Sequence, residues 1–311
     1  MSEPHDGDAL SAAIAQVSRA HAEGATPHVQ TYFDETTHTA THVVYDLATR
    51  RAAIIDSVLD FDPAAGRAST ASADRVVEYV AQQRLVVDWL LETHAHADHL
   101  TAANVLRSQV GGKVGISRSI TRVQVLLDEI FNFGETLAAD GSAFDHLFED
   151  GEGFAVGDLP AMALHVPGHT PADAAYVIGD LVFVGDTIFM PDWGTARADF
   201  PGADPHRLYA SIRRLLAFPD DTRLYLCHDY KPPGRDEFQW ITTVGEQRAS
   251  NVHVRDGVDE ATFVTMRTSR DAGLAPPRLI LPSLQVNIRA GRFPEPESNG
   301  RRYLKLPLDV F

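Results

Sequence analysis

Four side chains able to hold a metal ion, His94, His96, Asp98 and His99, stand within six residues, directly after the apolar run Leu85–Leu91. That run, interrupted only by Asp88, reads as a buried strand. The residues after it therefore form a loop at a strand end that leads into a helix. Alternation sends His94 and His96 to one side, and the tightening turn brings Asp98 and His99 round beside them. Neutral imidazole and carboxylate are suitable ligands for zinc and iron. A lone histidine on a polar loop invites no such reading; three with an aspartate at this spacing do. A fold that carries this segment has to bring it to an edge where loops from several strand ends converge.

The rest of the pattern supplies those strands. Val29–Phe33, Thr41–Tyr45 and Ala52–Ile55 are short runs rich in β-branched and aromatic residues, and Asp46–Thr49 between the last two resembles a hairpin connection. Asp60–Ser72, with Pro63 and Gly66, reads as a loop, followed by a helix capped at Ser72 that carries Val76, Val77 and Val80 on one face. A helical stretch runs from the histidine cluster to about Gln109, Lys113–Ile116 is a strand, and Ser117–Ile130 is helical. Phe131–Asp158 is Gly- and acid-rich, a long irregular stretch containing at most short strands. Ala161–Val166 is a strand, Ala174–Ile178 and Leu181–Val184 form a tight hairpin across Gly179-Asp180, Pro205–Phe218 is a helix, and Leu224–Leu226 is a last short strand. Strands precede helices in both halves, and the hairpins argue against an all-parallel sheet. Two mixed sheets facing each other with helices outside is the layered alternative.

Composition bounds the function. The 311 residues carry 27 Lys and Arg against 43 Asp and Glu, a net charge of −16. So acidic a surface disfavours a nucleic-acid partner, and no basic stripe with interleaved aromatics is present. No apolar run approaches the roughly 18 residues that span a bilayer, so no membrane partner is expected. The single cysteine, Cys227, rules out an intrachain disulfide and suits a reducing, cytoplasmic setting. Residues 1–26 lack a basic segment followed by an apolar one, and are expected to be a frayed, poorly ordered leader. Residues 27–248 are expected to form the main domain, and 249–311 an extension packed on it, whose apolar Leu279–Ile288 stretch could cover the core or support a homodimer.

Four further landmarks lie at predicted strand ends: Asp56, Pro167-Gly168-His169-Thr170, Gly185-Asp186-Thr187 and His228. Asp56 either braces a metal histidine or caps its own turn. Cys227 precedes His228, and strand alternation turns it away from that histidine into the core as an inert thiol.

His94-x-His96-x-Asp98-His99, followed in order by His169, Asp186 and His228, resembles the signature of the metallo-β-lactamase superfamily over roughly Val29 to Arg248. The resemblance implies an α/β chain folded as an αββα sandwich, two mixed β-sheets with helices on the outer faces. Within that superfamily, Thr93–Ala103, Arg197-Ala198-Asp199-Phe200, His228-Asp229-Tyr230 and Pro282–Asn287 followed by Gly291 are similar to segments of persulfide dioxygenases, also called sulfur dioxygenases. The Gly-Arg-Phe-Phe-Glu and His-Glu segments usual in glyoxalase II are absent. The loop between Asp186 and Arg197 and the extended C terminus resemble a bacterial subtype.

This resemblance implies one Fe(II) per chain held by His94, His169 and Asp186, with coordination positions left open for a sulfur ligand and dioxygen. His96, Asp98, His99 and His228 would orient those ligands and hold water or protons. The implied reaction is oxidation of glutathione persulfide by O2 and water to sulfite and glutathione, as in sulfide detoxification. Arg197, Tyr230 and Lys231 are the expected substrate-binding residues, Arg197 competing with a salt bridge to Asp199 or Asp204. The alternative is a zinc-dependent, glyoxalase II-like thioester hydrolase, in which the same side chains complete a two-metal site with Asp186 bridging.

Overall fold

The computed structural model describes residues 6–310. In chain order the first half contains α1 (Asp6–Glu23), β1 (His28–Asp34), β2 (Thr39–Tyr45), β3 (Arg51–Ile55), β4 (Val58–Asp62), β5 (Arg67–Ser69), α2 (Ala71–Gln83), β6 (Val86–Leu91), β7 (Leu100–Thr101), α3 (Ala103–Val110), β8 (Lys113–Ser117), α4 (Ile120–Phe131) and β9 (His146–Phe148). The second contains β10 (Gly153–Val156), β11 (Leu159–His165), β12 (Ala174–Ile178), β13 (Leu181–Phe183), α5 (Pro205–Leu215), β14 (Arg223–Tyr225), β15 (Ile241–Thr243), α6 (Val244–Ser250), α7 (Glu260–Asp271) and α8 (Ile280–Asn287).

Each half builds a six-stranded mixed sheet. The first has order β1-β2-β3-β6-β8-β9, antiparallel at β1–β2–β3 and parallel from β3 to β9. The second has order β10-β11-β12-β13-β14-β15, with only β13 and β14 parallel. Strands buried on both faces need apolar residues in both alternations, and β2 and β12 are buried along their whole length. Val44, Ala53, Ile55 and Leu91 from the first sheet meet Ala163, Tyr176, Ile178 and Phe183 from the second, forming the layer between them. On its outer face the first sheet packs against α2, α3, α4 and α8. The second is covered by α1, α5 and α7. The architecture is the expected α/β sandwich of two mixed sheets with helices outside.

Three segments depart from the sequence reading. Residues 6–23, expected as a poorly ordered leader, form α1, whose Ala9, Ala13, Val17 and Ala20 recur at helical spacing and are buried. Gln16 ties this helix to the Pro160 carbonyl at 3.1 Å. The expected loop at 60–72 contains β4 and β5, which pair with each other and with β7 in a small third sheet too short to show a period. Ser72 does not cap α2: its backbone N–H and hydroxyl both donate to Asp60, at 2.9 and 2.8 Å. The Pro-rich tail holds α8, which tolerates Pro282 because a first-turn residue has no intrahelical use for its N–H. Among the described residues, no helix is long and apolar enough to cross a membrane.

Candidate metal centre

Loops from both sheets meet at one edge of the sandwich. The β6–β7 loop delivers His94, His96, Asp98 and His99, the β11–β12 loop His169, the end of β13 Asp186, and the end of β14 His228. Two glycines make this convergence possible. Gly168 has φ +151°, and a Cβ there would lie 2.3 Å from the Leu208 backbone of α5. Gly185 has φ +54°, and its Cβ would lie 2.7 Å from the Thr93 side chain. Any other residue at either position would push a ligand loop off its neighbour.

The seven side chains sort into two clusters of converging donor atoms: His94, His169 and Asp186, and His96, Asp98, His99 and His228. In the first, Asp186 Oδ2 lies 3.8 Å from His94 Nε2 and 3.6 Å from His169 Nε2. A single ion with ligand bonds of about 2.0–2.2 Å reaches donors that far apart. The second approaches it through His228 Nε2, 3.3 Å from Asp186 Oδ1 and 3.4 Å from Asp98 Oδ2.

Hydrogen bonds decide which ring nitrogen each histidine presents. His169 Nδ1 donates to the Arg197 carbonyl at 2.8 Å, so its Nε2 carries a lone pair. His228 Nδ1 donates to the His38 carbonyl at 3.0 Å, with the same result. Thr93 donates its hydroxyl to Asp56 at 2.9 Å and accepts from His94 Nδ1 at 3.1 Å, again freeing Nε2. The buried atoms His94 Nε2, His99 Nε2, His228 Nε2, Asp98 Oδ2 and Asp186 Oδ1 have no hydrogen-bond partner. Orphaned polar atoms cost free energy unless something satisfies them, and a cation is the partner this donor set fits.

His96 is turned differently. Its Nε2 donates to Asp56 Oδ1 at 2.9 Å, with Glu92 Oε2 at 3.7 Å. Asp56 sits at φ +52° after β3 and also accepts the Thr93 N–H at 2.8 Å. Burial opposes the charge on both partners, but their mutual attraction outweighs it: the His96 pKa is raised to about 9 and that of Asp56 lowered. Burial and the neighbouring imidazoles hold His94 well below the ordinary histidine value, so it is neutral, as a ligand requires. Burial pushes Glu92 up to about 8.

The C-terminal helices brace the centre. Asn287 of α8 donates to the carbonyls of His96 and His99, both at 2.8 Å, and accepts the Thr101 N–H at 2.8 Å. On α7, buried Arg267 pairs with Asp271, Nε to Oδ1 2.9 Å, and donates to the Thr195 carbonyl at 3.1 Å. Asp271 accepts the Ala198 N–H at 2.8 Å. That pair grips the strap whose Arg197 carbonyl orients His169. Asn287 stood inside a recognisable tail segment with no role to read from it; Arg267 and Asp271 carried only an i,i+4 charge spacing.

A cavity of about 360 Å³ opens over the clusters, lined at its floor by Asp98, His169 and Asp186 and on its walls by Phe189, Trp193 and Tyr230. The substrate-binding candidates fare unequally. Tyr230 lines the cavity, its ring 5.7 Å from that of His228 and 5.1 Å from that of Trp193. Arg197 also lines it, but its donors are engaged by Asp199 at 2.6 and 2.7 Å and by the Ala275 carbonyl at 2.8 Å. Lys231 lies outside: a left-handed turn at φ +47° carries it over the Phe238 ring, 4.5 Å from its centroid. Cys227 is buried with its thiol pKa well above the ordinary value, as expected of an inert thiol. It does not point away from the site, however. β14 ends at Tyr225, alternation stops there, and the sulfur lies beside Asp56, His96, Asp186 and His228.

Comparison with known proteins agrees with this geometry. The sequence pattern of the metallo-beta-lactamase superfamily matches residues 34–228. The chain is 53% identical to a probable metallo-hydrolase of Burkholderia pseudomallei, over 91% of this chain and 99% of that one. It is 52% identical to a beta-lactamase hydrolase-like protein of Xylella fastidiosa, matching 92% of itself but spanning only 65% of that longer chain. A glyoxylase B2 of Dictyostelium discoideum is 45% identical over 86% of this chain and 92% of its own. The mitochondrial persulfide dioxygenase ETHE1 of Homo sapiens is 26% identical over 91% and 96%. Among solved structures, ETHE1 from Myxococcus xanthus superposes with a TM-score of 0.68 at 29% identity, covering 85% of this chain and all of that one.

Proposed function

The chain belongs to the metallo-beta-lactamase superfamily, and within it we propose that it is an iron(II)-dependent dioxygenase that converts glutathione persulfide, O2 and water to sulfite and glutathione. The observation that carries this reading is the separate convergence of His94, His169 and Asp186 on one point. Donor atoms of His94, His169 and Asp186 converge as two imidazoles and one carboxylate, while His96 donates Nε2–H to Asp56 and keeps its free Nδ1 on the side of the neighbouring cluster. That donor set leaves about three of six octahedral positions open, enough for a sulfur ligand and dioxygen together. Similarity to ETHE1 in sequence and in fold supports the same reading.

Iron bound there would supply a redox-active centre with open positions, which zinc lacks. The chain's own residues do the rest. The Thr93–Asp56 relay and the Arg197 carbonyl hold His94 and His169 as neutral ligands with their rings fixed. Phe189, Trp193 and Tyr230 wall the cavity and limit water around a reactive sulfur. His228 and Asp98, beside Asp186, can hold the protons released as sulfite forms.

A second reading is favoured by the four donors of the neighbouring cluster and by the glyoxylase B2 relative: a two-zinc thioester hydrolase with Asp186 bridging. Anaerobic loading with Fe(II), followed by measurement of O2 uptake and sulfite with glutathione persulfide, separates the two. The dioxygenase consumes oxygen and releases sulfite; a fully loaded protein that does neither, yet hydrolyses S-lactoylglutathione with zinc, overturns the proposal.

A further inference from the structure

Several arginines at the surface of this acidic chain pair with a carboxylate: Arg51 has Asp88, Arg107 has Asp145, Arg118 has Glu149 and Arg248 has Asp256. Two that line the cavity mouth do not. Arg270, on the last turn of α7, and Arg278, just before α8, are exposed, and among the described residues neither guanidinium makes a hydrogen bond or ion pair. The other cations at the cavity are spent on the fold: Arg267 on Asp271, Arg197 on Asp199 and Ala275.

We propose that Arg270 and Arg278 bind the carboxylates of the substrate, and so set a preference for a peptide-sized thiol derivative that carries carboxylates over a small one that has none. The inference rests on the reading that the substrate presents its sulfur to the His94–His169–Asp186 end of the cavity. Of the residues that line this cavity, His169 and Asp186 are buried, the aromatic Trp193 and Tyr230 half-buried, and the two unpaired arginines exposed. A molecule seated here therefore meets the metal-ligand side chains at one end and cations at the other. Guanidinium matches carboxylate geometry with two parallel hydrogen bonds, so two such groups suit a dicarboxylate such as glutathione. A volume of about 360 Å³ falls within the range of small-molecule sites. Both arginines come from the C-terminal segment, beyond the residues 34–228 that carry the superfamily pattern, so the substrate preference resides in the part of the chain that the pattern does not cover.

The test is calorimetric binding of S-methylglutathione, which has the carboxylates but no reactive sulfur, to the metal-loaded full-length protein and to R270Q, R278Q and the double variant. Because both side chains are exposed and unpaired, the variants should unfold at the wild-type temperature. The double variant should bind about tenfold or more weakly, and its affinity should lose most of its salt dependence. With glutathione persulfide its KM should rise while kcat holds, and turnover of the carboxylate-free persulfide of 2-mercaptoethanol should stay unchanged. Wild-type affinity for S-methylglutathione in the double variant, or no binding by the wild type, overturns the assignment. Absence of oxygen uptake with any persulfide, alongside lost binding in the variant, overturns the dioxygenase reading and leaves the arginine site standing.

Discussion

Two histidines one residue apart, His94 and His96, take different parts because of a single carboxylate. Asp56 reaches His96 directly and His94 only through the Thr93 hydroxyl. The pair was legible as metal-capable from spacing alone, but which nitrogen each presents depends on a residue nearly forty positions away in sequence. The same holds at Arg197, where a salt bridge to Asp199 competed with substrate binding and the Ala275 carbonyl, invisible in the sequence, completes its engagement. Removing a ligand tests the residue scale. His169→Ala should abolish iron binding and oxygen uptake while the core stays folded, because the imidazole's one protein hydrogen bond is to a loop carbonyl. Metal analysis beside circular dichroism checks both halves; retained iron in the folded variant would assign the ligand elsewhere.

At the scale of elements, strands were the easiest to read and their connections the hardest. The β12–β13 hairpin lies where Gly179-Asp180 placed it, with Ile178 opposite Leu181. Strands of two or three residues, such as β5 and β7, carry no period to detect. The bracing helices α7 and α8 show a general limit: the apolar Leu279–Ile288 stretch was visible, but Asn287 and Asp271 act on backbone atoms of distant loops. Asn287→Ala should leave the His96 and His99 carbonyls and the Thr101 N–H unpaired, destabilising the chain by about 2–4 kcal/mol and weakening metal affinity by roughly 10–100-fold. Denaturant titration and metal competition measure these separately, and unchanged metal affinity would show that α8 only covers the core. Asp271→Asn should cost about 3–5 kcal/mol by leaving the buried Arg267 charge without its partner, readable as an earlier unfolding midpoint.

Across the whole molecule, the αββα layering followed from hairpins and strand-end motifs, while the helix that covers the second sheet at the N terminus did not, because its stripe is built mainly of alanines. Between the sheets, His42 donates Nε2–H to the Leu226 carbonyl at 3.0 Å and accepts from Thr31 at 2.9 Å, and burial lowers its pKa to about 4. From the ordinary value of 6.5 down to about 4 the unfolded chain therefore binds a proton that native His42 refuses. Stability should fall as pH drops through that window, by up to about 1.4 kcal/mol per pH unit from this group. Melting temperatures measured across the window should fall less steeply in His42→Gln than in the wild type; equal slopes would remove His42 as the source.

The number of Fe(II) ions bound per chain, counted by anaerobic titration, bears most directly on whether His94, His169 and Asp186 act as an independent centre. One ion per wild-type chain and none in His169→Ala is the predicted result. Two ions per chain, filling both clusters at comparable affinity, would contradict it.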